Sequence, residues 1–306
     1  MRGANAITRS DPWPPLPLKD WQPTYDAVHM WTQIVGKVRM ALAHPLNHWW
    51  HVALYVTSRG LTTSPVPCGW GTFEIEFDFL EHELLILTSD GTARELPLRA
   101  EPVAAFYDRV TGALSELDIA VEINTKPQEV ADTTPFEKDQ RPREYDRDAM
   151  TRCWRILAST ADVLEEFRGR FVGKASPVHF FWGSFDLAHT RFSGRKAPPR
   201  KGVITGPGYS HEVISFGFWP GGSGIDGPAF YSYSAPAPEG LSAERIGPPP
   251  ASWDTKLGEW ILMYDEVRKA KQPRATLMEF FQTAYEAGAK RAGWDRASLD
   301  VSSEST

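Results

Sequence analysis

The stretch SPVHFFWGSFDLAHTRFSG, residues 176–194, carries the strongest structural signal in the chain. It combines apolar and aromatic residues with His179 and Asp186, and it predicts one β-strand that is packed on both faces. Residues 46–61, LNHWWHVALYVTSRGL, have a similar pattern and predict an equivalent strand at about 48–57. The chain is therefore expected to contain two related sheets.

Each of these two stretches is followed by further strand patterns and enclosed by helical ones. The segment TFEIEFDFL, at 72–80, alternates apolar and acidic residues, as in a sheet with one face on a core. The repeated order predicts an α+β fold of two similar helix–strand–strand–strand–helix halves, packed about a pseudo-twofold, with antiparallel sheets covered by helices. Helices are predicted at 20–42, 102–117, 146–171, 264–271 and 274–292.

The same patterns divide the chain into segments. Residues 1–20 are rich in proline and precede the first half, and residues 124–145 lack periodicity and predict a linker. The serine-rich end predicts a disordered tail. The predicted segments are a proline-rich lead at 1–20, a first half at 21–123, a linker at 124–145, a second half at 146–294 and a tail at 295–306.

Composition excludes several classes of protein. The chain has 306 residues, of which 42% are hydrophobic, and this is enough to fill a sizeable core. A net charge of −6 gives no reason to expect nucleic acid as a partner. Cys68 and Cys153 have no metal-type spacing and are expected to be reduced thiols. No stretch predicts a signal peptide or a membrane span, so a soluble, cytoplasmic protein is expected.

Several longer motifs resemble a known family. They include HMWTQIVGK at 29–37, PLNHWWH at 45–51, SPVHFFWGSFDLA at 176–188 and SHEVIS-FGFWPGG at 210–222. These motifs are similar to those of a bacterial domain-of-unknown-function family, and the resemblance extends from Trp13 to Trp294. It implies a single bacterial protein of this pattern, and it transfers no activity or catalytic residue.

An acid–base pair is the first candidate for chemistry. Strand alternation places Ser184 and Asp186 on one face of the 176–194 strand. It places His211 and Ser215 of the 210–219 strand on the same side, if Phe216 and its neighbours face the core. A carboxylate that orients an imidazole is a general acid–base arrangement, so Asp186 and His211 are the predicted catalytic residues. The competing interpretation is a buried hydrogen bond with a structural role only.

A metal ion is the competing use of the histidines. His51, His211 and either Asp186 or Glu212 could converge from separate strands on a divalent ion such as zinc or iron. No local metal-binding motif supports this site. The segment GSGIDG, at 222–227, is followed by Pro228 and a strand pattern instead of a helix, so no dinucleotide is expected.

The predicted ligand is a small organic molecule, either anionic or aromatic. Aromatic walls and a few orienting polar groups are typical of ligand pockets, and arginines at strand ends could hold an acidic group. The leading hypothesis is an enzyme. The first alternative is a binding protein without turnover, and the second is a scaffold whose aromatic face forms a homodimer. The predicted ligand-binding residues are Tyr55, Trp182, Ser184, Trp219, Arg59, Arg191, His29 and Lys37.

Overall fold

A long helix, α1 (Leu18–Leu42), is enclosed by the rest of the protein in the computed structural model, which describes residues 10–222 and 224–301. Every residue from Ala27 to Arg39 is buried, including the polar His29, Gln33 and Lys37. The predicted helix at 20–42 is confirmed. Its polar stripe does not face solvent, so its donors and acceptors need partners inside the protein.

The first sheet is antiparallel and packs one face on the core. Its strand order is β1-β2-β4-β5-β6, with β3 paired to β4. In β4 the apolar residues Phe73, Ile75 and Phe77 are buried, as the alternation predicts. The strands are β1 (Tyr55–Val56), β2 (Gly60–Thr62), β3 (Val66–Pro67), β4 (Thr72–Asp78), β5 (Glu83–Thr88) and β6 (Ala93–Pro97).

The second sheet is also antiparallel, with the order β11-β12-β10-β9-β8-β7. Phe216 and Phe218 are fully buried on one face, where Phe216 contacts Phe167 and Phe281 of two helices. The strands are β7 (His179–Phe181), β8 (Asp186–Lys196), β9 (His211–Trp219), β10 (Ala229–Ala235), β11 (Ser252–Asp254) and β12 (Glu259–Met263). The helices after α1 are α2 (Val103–Glu116), α3 (Arg147–Arg168), α4 (Thr205–Gly208), α5 (Tyr264–Arg268), α6 (Pro273–Arg291) and α7 (Arg296–Leu299).

The single strand predicted over 176–194 is wrong, because this stretch forms a β-hairpin. Phe181 of β7 pairs with Asp186 of β8, and residues 182–185 make the turn between them. Phe185 has a φ of 56°, which lies in the left-handed region and outside the β region that regular strands adopt. The turn points Trp182 and Ser184 toward one face of the sheet, where both line a cavity.

The strand predicted at 48–57 is also wrong over most of its length. Residues 47–49 form a 3-10 helix in which His48 and Trp49 have positive φ angles of 57° and 61°. Only β1 pairs as a strand, and Leu54 forms a bridge to Phe180 that links the two sheets. The α+β class is confirmed, because the described residues form helices and two six-stranded antiparallel sheets. The twofold repeat stays a prediction, since residues 48–50 and 179–181 differ in backbone conformation.

The segments outside the two predicted halves pack against them. The main apolar core includes residues from Leu16 to Trp294. The predicted linker contributes the fully buried Phe136, and it contacts α1 through hydrogen bonds to Gln33. The first part of the predicted tail contains α7. The remaining lead and tail residues, 1–9 and 302–306, lie outside the described residues.

Candidate functional site

A cavity of about 480 Å³ lies against the face of the second sheet that α3 and α6 leave free. The sheet supplies its floor, residues 47–52 and 128–129 lie along its sides, and the segment 203–209 borders one end. Most of the lining is aromatic or aliphatic. The lining residues are Met40, His48, Trp49, Trp50, Val52, Gln128, Glu129, Phe181, Trp182, Gly183, Ser184, Asp186, Ala188, Thr190, Phe192, Val203, Ile204, Gly208, Tyr209, Val213, Ser215, Tyr231 and Tyr233.

Asp186 is the carboxyl group at one end of this cavity. The Tyr231 hydroxyl and the Ser184 hydroxyl each donate a hydrogen bond to its carboxylate. Burial raises the pKa of Asp186, while these two hydrogen bonds oppose the rise because they stabilise the ionised form. A carboxyl group of this kind can accept a hydrogen bond, pair with a cation or transfer a proton.

Glu129 is a second carboxyl group at this end, and the sequence patterns did not single it out. It lies in the segment predicted as a linker, and its φ of 57° is in the left-handed region. Its carboxylate lies against Gly183 of the hairpin turn, where a Cβ would come within 2.8 Å of Oε1. Partial burial, followed by the charge of Asp186, raises the pKa of Glu129.

The polar stripe of α1 holds this segment in place. Gln33 Nε2 donates to the Gln128 carbonyl and Gln33 Oε1 accepts from the Gln128 amide, both at 2.8 Å. Lys37 Nζ donates to the Lys126 carbonyl at 2.8 Å. His29 Nε2 donates to the Gly183 carbonyl at 2.8 Å. His29 and Lys37, which were predicted to bind substrate, therefore position the backbone around Glu129, and neither belongs to the cavity lining.

Burial changes the ionisation of both stripe residues. It lowers the pKa of His29, which keeps the imidazole neutral, and it lowers the pKa of Lys37 to about 8. The only hydrogen bond that Lys37 makes in the described structure is to a carbonyl, so no carboxylate there offsets the loss of hydration.

The opposite end of the cavity is bordered by α4 and the 3-10 turn. His48 Nδ1 donates to the Gly208 carbonyl at 3.2 Å, and Trp49 Nε1 donates to the Val203 carbonyl at 3.2 Å. The left-handed backbone at His48 and Trp49 costs about 1–2 kcal/mol per residue. Such strain is found at sites where side chains must take a defined direction. Here it directs both rings at the cavity.

The predicted pair of Asp186 and His211 does not form. In the β8–β9 register, Leu187 lies opposite Phe218, whereas His211 lies opposite Lys196. The two predicted residues are therefore at opposite ends of the strand pair, separated by roughly 25 Å at 3.3 Å per residue. The face assignment was correct, since Ser215 and Asp186 both line the cavity. Alternation defines the face, but not the position along the strand.

The predicted metal ligands are also apart. His51 stacks on Trp49 and accepts a hydrogen bond from the Leu46 amide at Nδ1. Glu212 pairs with Arg195 at 2.7 Å and accepts from Ser193. Among residues 10–222 and 224–301, no group of three or more histidine, cysteine or acidic side chains is placed to hold a metal ion.

The arginines predicted to bind an anion are engaged elsewhere. Arg59 pairs with Asp78 and Glu81 on the first sheet. Arg191 lies on the helix-covered face of β8, fully buried, and its guanidinium is 3.5 Å from the centre of the Phe167 ring.

Two of the predicted aromatic walls also lie outside the cavity lining. Tyr55 packs edge-on against His179, and Trp219 packs beside Ala229 at the end of β9. Trp182 and Ser184 do line the cavity, as predicted.

The fold and this cavity define an α+β protein with a ligand-sized site on one sheet. The chain belongs to the family of unknown function DUF5996, whose model matches residues 13–301. This confirms the resemblance to a domain-of-unknown-function family. Comparison with curated proteins and with solved structures found no match. In the part of the chain that the structure describes, no helix has the length and apolar character needed to cross a membrane.

Proposed function

We propose that the protein binds a small organic molecule in the cavity on the second sheet. The observation that supports this is a 480 Å³ aromatic cavity with Asp186 fixed at one end by Tyr231 and Ser184. Ligand sites typically have volumes of about 300–1,000 Å³, with apolar walls and a few placed polar groups.

The polar groups at this end favour a ligand that donates hydrogen bonds. Asp186 and Glu129 present carboxyl oxygens, and Trp182 and Tyr231 present aromatic rings close by. Carboxylates and aromatic faces both attract an ammonium group, and carboxylates also accept from a hydroxyl. The expected ligand has an apolar body and an amine or hydroxyl group at the Asp186 end.

A cavity-filling variant tests this proposal. Ala188 lines the cavity and is 4% exposed, so Ala188→Trp should occupy the space a ligand needs. Leu87→Trp is the matched control, because Leu87 is an exposed residue of the other sheet. Melting temperatures are measured against a library of small amines, alcohols and aromatic acids.

The expected result is a compound that stabilises the wild type and Leu87→Trp but not Ala188→Trp. Ser215→Phe, on the neighbouring strand, serves as a second filling variant if Ala188→Trp fails to fold. A library without any stabilising compound, or compounds that stabilise the filled variants equally, would contradict the proposal.

An enzyme that uses Asp186 as its acid–base group is the second candidate. The raised pKa of Asp186 favours it, because a buried carboxyl group with a pKa closer to neutrality transfers protons more effectively. Asp186→Asn separates the two candidates. A binding protein should show no turnover of its ligand before or after the change, whereas an enzyme should lose turnover by at least about a hundredfold.

A further inference from the structure

Three basic side chains meet at the end of the cavity opposite Asp186. Lys174 Nζ donates to His48 Nε2 at 2.7 Å, and the ring centres of His48 and His211 are 5.7 Å apart. The Lys174 ammonium also lies 5.0 Å from the centre of the Phe192 ring and 5.4 Å from that of Trp50. His48, Trp50 and Phe192 all belong to the cavity lining.

Within the described part of the chain, none of these three basic groups has an acidic partner. Of the ion pairs formed among residues 10–222 and 224–301, none includes Lys174, His48 or His211. Lys174 uses one of its three N–H groups on His48, which leaves two donors for a ligand. Burial lowers the pKa of Lys174.

His48 determines where the ammonium lies. Its Nδ1 is a donor to the Gly208 carbonyl, so Nε2 is unprotonated and accepts from Lys174. Burial is the main cause that lowers the pKa of His48, and the charges of Lys174 and His211 lower it further. A neutral His48 therefore acts as a positioning residue that holds Lys174 over Trp50 and Phe192.

We propose that Lys174, positioned by His48 and supported by His211, binds the acidic group of the cavity ligand. A carboxylate or a phosphate monoester provides the required charge and acceptor oxygens. This deepens the proposed function and rests on it, because the acidic group is placed on the molecule that the cavity binds. The anionic ligand predicted from the sequence is retained here, with a lysine in place of Arg59 and Arg191.

Two dyes that share one aromatic body separate charge recognition from cavity binding. Anilinonaphthalene sulfonate carries an anionic group, and N-phenyl-naphthylamine is the same molecule without it. Their fluorescence on binding gives a Kd for the wild type, Lys174→Met, Lys174→Arg and the control Lys256→Met. Lys256 is an exposed lysine in the turn between β11 and β12.

We expect Lys174→Met to weaken the binding of the sulfonated dye by about tenfold, because one charge-assisted hydrogen bond is lost. The affinity for the uncharged dye should not change. Lys174→Arg and Lys256→Met should bind both dyes with Kd values within about threefold of those of the wild type. Raising the salt concentration from about 50 to about 500 mM should weaken the binding of the sulfonated dye but not that of the uncharged dye. Displacement of that dye by octanoate or by octyl phosphate distinguishes a carboxylate site from a phosphate site.

If Lys174→Met lost affinity equally for both dyes, or for neither, the proposed anion site would be wrong. The proposed function fails differently: neither dye would bind, or both would bind Ala188→Trp as well as the wild type. Folding of each variant is checked by its melting temperature, and the salt dependence of the sulfonated dye on the wild type keeps the test valid if Lys174→Met is unstable.

Discussion

Gln33 of α1 and Gln128 of the 124–135 segment form two hydrogen bonds in opposite directions, each 2.8 Å long. The Gln33 amide thereby satisfies both the carbonyl and the N–H of one residue. Glu129 is next in the chain, with a left-handed backbone that directs its carboxylate toward Gly183. A buried residue on the central helix thus determines the position of an acidic group in the cavity.

Replacing Gln33 should therefore loosen the cavity as well as lower stability. Gln33→Leu keeps the size of the side chain but leaves the polar groups of Gln128 without partners. We expect the free energy of unfolding to fall by about 2–4 kcal/mol, for two lost hydrogen bonds with a desolvation cost. Urea denaturation measures this loss, and hydrogen exchange should become faster at residues 126–130.

Gln22 provides the control on the same helix. Among the described residues, its amide group forms a hydrogen bond only with Asp26, one turn away. Gln22→Leu should lower the free energy of unfolding by about 0.5 kcal/mol or less, and hydrogen exchange at residues 126–130 should not change. Unchanged exchange at 126–130 in Gln33→Leu would show that Gln33 does not hold the segment.

Two helical glycines should respond in opposite directions to the same substitution. A Cβ on Gly36 of α1 would lie 2.2 Å from the Trp182 ring, whose Nε1 donates to the Val52 carbonyl at 2.8 Å. Gly36→Ala should therefore destabilise the protein by about 1–3 kcal/mol and weaken ligand binding, because Trp182 must move.

A Cβ on Gly112 of α2 meets nothing within 4 Å. Gly112→Ala should stabilise by about 0.5–1 kcal/mol. Thermal and urea unfolding of the two variants compare these effects.

The hydroxyl of Tyr231 should control the ionisation of Asp186. Tyr231→Phe removes a donor that stabilises the carboxylate, so the pKa of Asp186 should rise further. The loss of stability should be about 1–2 kcal/mol near pH ~8, and it should become smaller as the pH falls through the pKa of Asp186 and the carboxyl group takes up a proton. A carboxyl-carbon NMR titration follows Asp186 directly. Tyr233→Phe is the matched control, because the Tyr233 hydroxyl bonds to that of Tyr209. An equal pKa for Asp186 in both variants would contradict this role.

Glu259 should make the protein less stable as the pH rises toward neutrality. Burial, followed by the charges of Asp186 and Asp254, raises the pKa of Glu259 from 4.5 to about 7. Between these values the folded state binds the proton more tightly than the unfolded chain, so stability is fully present below pH ~4.5 and decreases up to about pH 7. Glu259→Gln should remove this decrease and raise stability near pH ~8 by about 1–2 kcal/mol.

Glu95, an exposed residue of β6, is the control for this experiment. Glu95→Gln should change the free energy of unfolding by less than about 0.5 kcal/mol at any pH tested. Parallel pH profiles of the free energy of unfolding for the wild type and Glu259→Gln would show that ionisation of Glu259 does not destabilise the folded state.

Local patterns predicted much of the architecture. Helical periodicity identified α1, α2, α3 and α6, and strand alternation assigned the buried face of β4 and the faces of β9 correctly. The hairpin turn at 182–185 was missed because a continuous aromatic run with one glycine resembles a buried strand. Its left-handed residue is Phe185, a type that gives no turn signal.

The sequence by itself determined the α+β class and the side of the sheet on which Asp186 and Ser184 lie, since periodicity is a property of neighbouring residues. Only the tertiary structure decided which groups meet in the cavity. The register of β8 and β9 separates Asp186 from His211. Contacts between distant segments bring Glu129 to one end and join Lys174 to His48, 126 residues away, at the other. Such pairings depend on how the segments pack, which no local pattern records.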